Sequence, residues 1–378
     1  MVIPKTMKGL VLHEDNSIKF EAALPVPEVT FGSAIIRVLA TPGNPNLVRM
    51  LRSEAGSHAF TQPRPLTPGG YFIGRIVAVG PDATVLSEGQ LVLVEHFVRA
   101  RDDTTVQILW SMHDGNTPAT KKLHLAWRNG SYAEYVRAPF ENTYALDEKR
   151  LCSPVSEGGL GYSFNDLTHF IAQCVPYGGF RSVNLQAGET VVISPATGLF
   201  SGAAISVAVA IGANVIAVSR SKDGLAKVKS SFPSIKTVQF TGDNEADTAS
   251  IIAASGTHAP DVFLDLSPPA ATGNDGVTAC MMSVRPYGRI VLMGGRGDSN
   301  IPMPWPVLLY RNLTIKGGFM YEREDVQQVI RLLEGGQVKL GKENGYEISG
   351  TFSLEEWDKC ADASLEHIGF GKIVVLNP

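Results

Sequence analysis

From about Asn165 onward the chain alternates short apolar runs with stretches of helical character. Six such runs stand at near-regular intervals, around Val191, Val215, Val238, Val262, Ile290 and Leu313. A strand buried on both faces reads as an unbroken apolar run, so this rhythm predicts a parallel sheet covered on both sides by helices. Residues Glu322 to Glu334 follow, with Val326, Val329, Ile330 and Leu333 at helical spacing and a stop at Gly335-Gly336. The first part of the chain has a different pattern. Leu10–Leu12, Ala34–Leu39, Leu91–Val94 and Gly130–Val136 predict strands, punctuated by Pro25, Pro27 and Gly32. Leu47–Leu51 predicts a short helix. Arg99–Asn129 has mixed polarity and little periodicity, which predicts a long insertion. Lys372–Leu376 predicts a closing strand.

One stretch carries candidate chemistry. Val191-Val192-Ile193 opens it as a buried strand, and Ser194-Pro195-Ala196-Thr197-Gly198 makes a turn. A small-residue helix runs from Gly202 to Ala210, and Val215–Val218 forms a second strand that ends on Ser219-Arg220-Ser221-Lys222. Strand, glycine turn, helix, strand is the unit that binds a dinucleotide. The free N–H groups and dipole of the helix start favour an anion. Small side chains at Ala196, Gly198 and Ser201, around Thr197, would let a pyrophosphate approach the backbone. The match to G-x-G-x-x-G is degenerate, reading Ala196-x-Gly198-x-x-Ser201, so an ordinary strand–turn–helix is the alternative. Where an NAD enzyme would place an acidic residue, this chain has Ser219. Arg220, with Ser221 and Lys222, could then hold a 2′-phosphate, so NADP is expected before NAD; a solvated surface arginine is the other reading.

Composition narrows the class. The chain has 378 residues, enough for two domains, with 44% hydrophobic and 19% charged residues and a net charge of −4. That balance fits a soluble globular protein and gives no reason to expect nucleic acid or a membrane as partner. No run is long and apolar enough to span a bilayer, and the start of the chain shows no signal-peptide pattern, so a cytoplasmic location is expected. Cys152, Cys174, Cys280 and Cys360 are scattered, which predicts buried free thiols and no zinc cluster.

Met7–Leu12, Gly74–Gly80, Gly130–Tyr135, the Val191–Lys222 unit and Gly371–Val375 together resemble the medium-chain dehydrogenase/reductase superfamily over nearly the whole length. Within it the chain looks most like zinc-less fungal alcohol dehydrogenase-like and enoyl reductase-like members. The resemblance implies an α/β protein: a GroES-like β-rich catalytic domain (residues 1–164 and 322–378) plus a Rossmann doubly wound parallel sheet (165–321), with the active site in the cleft. It also implies a small-molecule substrate and a possible homodimer. In relatives the backbone near Gly294 and Phe319 meets the nicotinamide, and Tyr310, Tyr321 and the Trp305 loop could shape the pocket or a dimer contact.

The departures from the family pattern set the expected chemistry. Zinc-dependent members carry G-H-E where this chain has Gly69-Gly70-Tyr71, and their upstream cysteine ligand falls at or near Asn44. The Glu95–Asn129 region contains no cysteine for a structural zinc. No set of three ligands for a catalytic zinc is visible, so no metal is expected. The resemblance puts Tyr71 at the lost metal site, where its phenol could polarise a carbonyl; a packed aromatic is the alternative. Asn44 could orient a carbonyl, although Asn-Pro is ordinary turn chemistry. His96 could relay a proton through its near-neutral titration, or be structural. The expected function is a zinc-independent NADPH-dependent oxidoreductase acting on a carbonyl or an enone. The alternatives are an NAD-using ketone or alcohol dehydrogenase and a non-catalytic nucleotide-binding protein.

Overall fold

All six apolar runs form parallel strands: Thr190–Ser194, Asn214–Ser219, Lys236–Gln239, Val262–Asp265, Arg289–Leu292 and Thr314–Gly317. Counted in that sequence, they lie side by side in the order 3-2-1-4-5-6. This is the order of a doubly wound dinucleotide-binding sheet, in which the strand order, not the strand direction, reverses between Thr190–Ser194 and Val262–Asp265. Val191, Val192 and Ile193 are fully buried, as their unbroken apolar run requires. Val192, Ile216, Phe263 and Ile290 pack with Ile251, Cys280 and Met281 from the covering helices. Each large side chain buried this way contributes roughly 1.5–3 kcal/mol before entropy costs. The helix after the first strand, Leu199–Ile211, buries Gly202, Ala203, Ala204 and Ala208, and its small side chains permit close packing on the sheet.

The computed structural model describes residues 3–52, 64–112, 115, 117–268, 271, 276–295 and 305–378. It divides into two units. The first comprises Met1–Ile171, Glu347–Ile368 and Lys372–Pro378; the second comprises Ala172–Tyr346 and Gly369–Gly371. The resemblance implies a return to the GroES-like domain at residue 322. Instead, the amphipathic helix Arg323–Glu334 lies in the second unit, burying the expected Val326, Val329, Ile330 and Leu333. Its apolar stripe shows that it must pack, but not on which unit.

The first unit is built on a seven-stranded sheet. Along it run Glu347–Phe352, Lys372–Leu376, Ser33–Pro42, Phe72–Val79, Leu91–Val94 and Thr143–Ala145, with Tyr135–Pro139 also paired to Ser33–Pro42. The closing strand pairs antiparallel with Ser33–Pro42, Val375 opposite Pro42, so the end of the chain completes a sheet begun near its start. Thr6–Leu12 and Ile18–Pro25 form a separate antiparallel pair.

Two expectations fail locally. The Gly130–Val136 run enters a strand only at Tyr135. A side chain at Gly130 would lie 2.0 Å from the carbonyl oxygen of Gly69, so backbone-on-backbone packing replaces a ladder there. The insertion is also more regular than its lack of periodicity predicts. It contains the strand Gln107–Leu109 and the helix Pro118–Ala126, which starts on the Thr117 cap with proline in its first turn.

Candidate functional site

In the second unit the turn between Ser194 and Leu199 is held from several sides. The Ala196 N–H donates to the Val218 carbonyl at 2.8 Å, tying the turn to the neighbouring strand. The Gly198 N–H donates to Ser201 Oγ at 3.2 Å. The first bond of the following helix runs from the Gly202 N–H to the Gly198 carbonyl. The N–H groups of Leu199, Phe200 and Ser201 therefore precede the first possible acceptor inside the helix. A Cβ at Gly198 would meet only Ser201 Oγ, at 3.0 Å, so space lies open above the backbone. Free donors, a helix dipole and room for close approach fit the pyrophosphate of a dinucleotide. Ala196, Thr197, Gly198 and Ser201 are brought together in this turn.

The groups at the end of the second strand have different partners from those expected. Ser219 is buried, and its hydroxyl lies 3.2 Å from Thr197 Oγ1. Ser221 caps the helix Lys222–Ser231 by accepting from the Gly224 N–H at 3.0 Å. Both hydroxyls are thus engaged within the fold, and Arg220 and Lys222 are exposed. Gly294 sits at the carboxyl end of its strand, where a Cβ would fall 2.4 Å from Asp265 Oδ2 and 2.7 Å from the Ser267 nitrogen. Asp265 and Ser267 are buried and hydrogen-bonded to each other. The signal for this pair is an acidic and a hydroxyl residue at the carboxyl end of an apolar parallel strand, the end where ligands bind such sheets. Phe319 is 59% exposed. Arg296, next to the Gly294-Gly295 turn, lies outside the described residues.

In the first unit Tyr71 and His96 come together, with ring centroids 5.2 Å apart and both side chains buried. Gly69 has φ +110°, and a Cβ there would lie 2.6 Å from the nitrogens of Ser131 and Tyr132, so the position requires glycine. A Cβ at Gly70 would meet the His96 ring at 3.5 Å. Thr41 Oγ1 lies 2.7 Å from Ser131 Oγ and 3.3 Å from the Tyr71 carbonyl, adding two buried hydroxyls that the sequence did not single out.

Asn44 takes a structural role. Its Oδ1 accepts from the N–H groups of Asn46 and Leu47 at 2.9 and 3.3 Å, capping the helix Pro45–Leu51, and its amide nitrogen faces Met112 Sδ. The cap occupies the amide oxygen, and the amide nitrogen, the donor a substrate carbonyl would need, faces Met112 Sδ. The turn reading therefore describes Asn44 better than the catalytic one.

His96 also departs from expectation. Complete burial lowers its pKa from 6.5 to about 3, and its Nδ1 finds no partner among the described residues. It is a neutral imidazole near pH 7 and does not relay protons by titrating there. The unfolded chain binds a proton at this site between about pH 3 and 6.5 that the folded chain does not, so stability rises with pH across that window. The contribution is fully present above about pH 6.5 and falls on acidification by about 1.4 kcal/mol per pH unit. His124, pushed down to about 4 mainly by burial and secondarily by Arg128, acts in the same direction. Replacing His96 with Gln should flatten the fall in unfolding free energy between about pH 6 and 4, measured by urea denaturation. An unchanged slope would show that His96 is not a source of acid sensitivity.

The family model "Zinc-binding dehydrogenase" matches residues 201–335, and "Alcohol dehydrogenase GroES-like domain" matches residues 31–148. Among the described residues no group of three or more His, Cys, Asp or Glu could hold a metal ion. L-threonine 3-dehydrogenase of Ruegeria pomeroyi is 26% identical over 335 residues, covering 87% of this chain and 90% of that protein. A quinone oxidoreductase-like protein 2 homolog of Nematostella vectensis is 22% identical over 354 residues, covering 91% and 82%. Among solved structures, the short chain alcohol dehydrogenase rspB of E. coli CFT073, complexed with the cofactor NADH, has a TM-score of 0.75 at 17% identity, covering 99% of this chain and 100% of its own.

These findings correct the expectation of NADP. The structure of that relative holds NADH, and here the Ser221 hydroxyl expected at a 2′-phosphate instead caps a helix. The absence of a carboxylate at Ser219 was an insufficient signal, because it left open which groups around it were free. The two matched domains, in this order and on this fold, place the chain in the medium-chain dehydrogenase/reductase superfamily.

Proposed function

We propose that this chain is a zinc-independent, NAD(H)-dependent oxidoreductase that moves hydride between the nicotinamide and a small to medium organic carbonyl or activated C=C. The observation that carries the proposal is the Ala196–Ser201 turn, with three helix-start N–H groups and open space at Gly198. The metal-free part rests on Gly70 and Tyr71 standing where zinc-dependent members carry His and Glu. When bound, the nicotinamide supplies or accepts the hydride. Tyr71 then donates its phenolic proton to the oxygen on which negative charge develops, and its buried setting strengthens that hydrogen bond. Neutral His96 packs beside the Tyr71 ring and holds it in place. For an enone, polarising the carbonyl makes the β-carbon the hydride acceptor with no metal needed, which favours double-bond reduction.

The test is substrate-dependent NADH oxidation on a panel of ketones and enones, with chelator-treated protein and elemental analysis of the same sample. Turnover without stoichiometric zinc is expected, because a catalytic site with three protein ligands would keep its metal through purification. About one tightly bound zinc per chain would overturn the metal-free reading. NADH binding with no turnover on any substrate would favour a non-catalytic nucleotide-binding protein.

A homodimer forms part of the same proposal. The strand Thr314–Gly317 lies at one edge of its sheet, and Trp305, Leu309 and Tyr310 nearby in sequence are 60–82% exposed. An open edge beside apolar side chains is suited to pairing with a second copy. Sedimentation should give about twice the 40.6 kDa chain mass, and a monomer at micromolar concentration would count against it.

A further inference from the structure

The tripeptide Gly369-Phe370-Gly371 belongs to the second unit, although the residues on both sides of it belong to the first. The chain bends into and out of this position at two glycines with φ +118° and +68°. A Cβ at Gly371 would lie 1.9 Å from the Gly345 carbonyl oxygen. Between these glycines Phe370 is 3% exposed. Its ring packs against Tyr346 and Phe232, at centroid distances of 5.6 and 5.8 Å. It also covers the bare backbone of Gly202 in the first turn of the helix after the dinucleotide turn, where a Cβ would fall 2.0 Å from Phe370 Cδ2.

The backbone of Phe370 is held as firmly as its ring. Its N–H donates to the Thr197 carbonyl at 2.9 Å, and its own carbonyl accepts from Lys227 Nζ at 3.3 Å. The peptide group joining Thr197 to Gly198 is therefore held at both ends, its oxygen by Phe370 and its N–H by Ser201 Oγ. The Thr197 side chain is fixed as well, by Ser219 at its hydroxyl and by the close approach of Gly224 to its methyl. A planar peptide fixed at both ends sets the direction in which the next N–H groups point.

We propose that Phe370 is a positioning residue for cofactor binding: it locks the Thr197–Gly198 peptide in the orientation that presents the helix-start N–H groups to the pyrophosphate. This rests on the assignment of that turn to the cofactor. An anion bound by those N–H groups stabilises the same peptide orientation that Phe370 stabilises, so the two are thermodynamically coupled and each strengthens the other.

The test uses the full chain and NADH. Hydrogen–deuterium exchange of the wild-type protein, resolved to the Phe370 amide, should slow about tenfold or more at saturating NADH. In parallel, Phe370→Ala should raise the Kd and KM for NADH about tenfold while changing kcat little, and Phe370→Leu, which keeps an apolar side chain over Gly202, should recover most of the loss. NADH binding that leaves exchange at Phe370 unchanged would overturn the proposal even if Phe370→Ala does not fold. A folded Phe370→Ala protein with wild-type NADH affinity would overturn it as well. If the wild-type chain does not bind NADH, the cofactor assignment itself fails, and the two failures are distinguished.

Discussion

Tyr71→Phe protein is expected to fold normally, bind NADH normally and turn over its carbonyl or enone substrate about a hundredfold more slowly, since a positioned proton donor contributes 10²–10⁴-fold. The substitution removes one oxygen and keeps the ring, so the packing of Tyr71 beside His96 is preserved. The measurement is kcat at saturating NADH, with the NADH dissociation constant as a control. The turn proposed to hold the cofactor belongs to the other unit, so a loss confined to kcat would support Tyr71 as the donor to the reacting oxygen. If instead kcat is unchanged, Tyr71 is a packed aromatic and the donor must be sought elsewhere, first at the paired hydroxyls of Thr41 and Ser131.

Gly198→Val should weaken NADH binding about a hundredfold, equivalent to roughly 2.7 kcal/mol, without unfolding the protein. Gly198 has φ −89° and ψ 175°, extended backbone that valine adopts readily. The new Cβ would meet only Ser201 Oγ, so the penalty falls on the space above the turn and not on the core. Binding is read by titration and folding by thermal melting. A folded variant with wild-type affinity would mean that the pyrophosphate is held somewhere else. Gly202 is the opposite case: a Cβ there runs into the Phe370 ring, so its substitution disturbs the fold before it reports on the cofactor.

The structure also separates residues that look equivalent in sequence. Asn44, Tyr71 and His96 are three polar candidates at plausible positions, yet one is a helix cap, one is buried beside an imidazole, and one is too buried to carry charge near neutral pH. Each outcome depends on neighbours distant in the chain. His96 loses its ordinary pKa because every side of the ring is enclosed, and no local pattern records that.

What the sequence by itself determined was set by short-range periodicity. The six apolar runs, the small-residue helix after the Ser194–Gly198 turn and the Val326–Leu333 stripe each state their own secondary structure, because a strand or helix must bury a face of fixed period. The Gly69-Gly70-Tyr71 stretch is local too, but that it stands where zinc-dependent members carry G-H-E is what the resemblance implies, not what periodicity shows. The tertiary structure alone decided which unit takes the Arg323–Glu334 helix, which hydroxyls around Ser219 are already engaged, and how Asp265 and Ser267 meet Gly294. It also decided that the N–H of Phe370, 173 residues along the chain from Thr197, bonds the Thr197 carbonyl. Those are contacts between distant segments, and burial and hydrogen-bond pairing between such segments arise only when the whole chain packs.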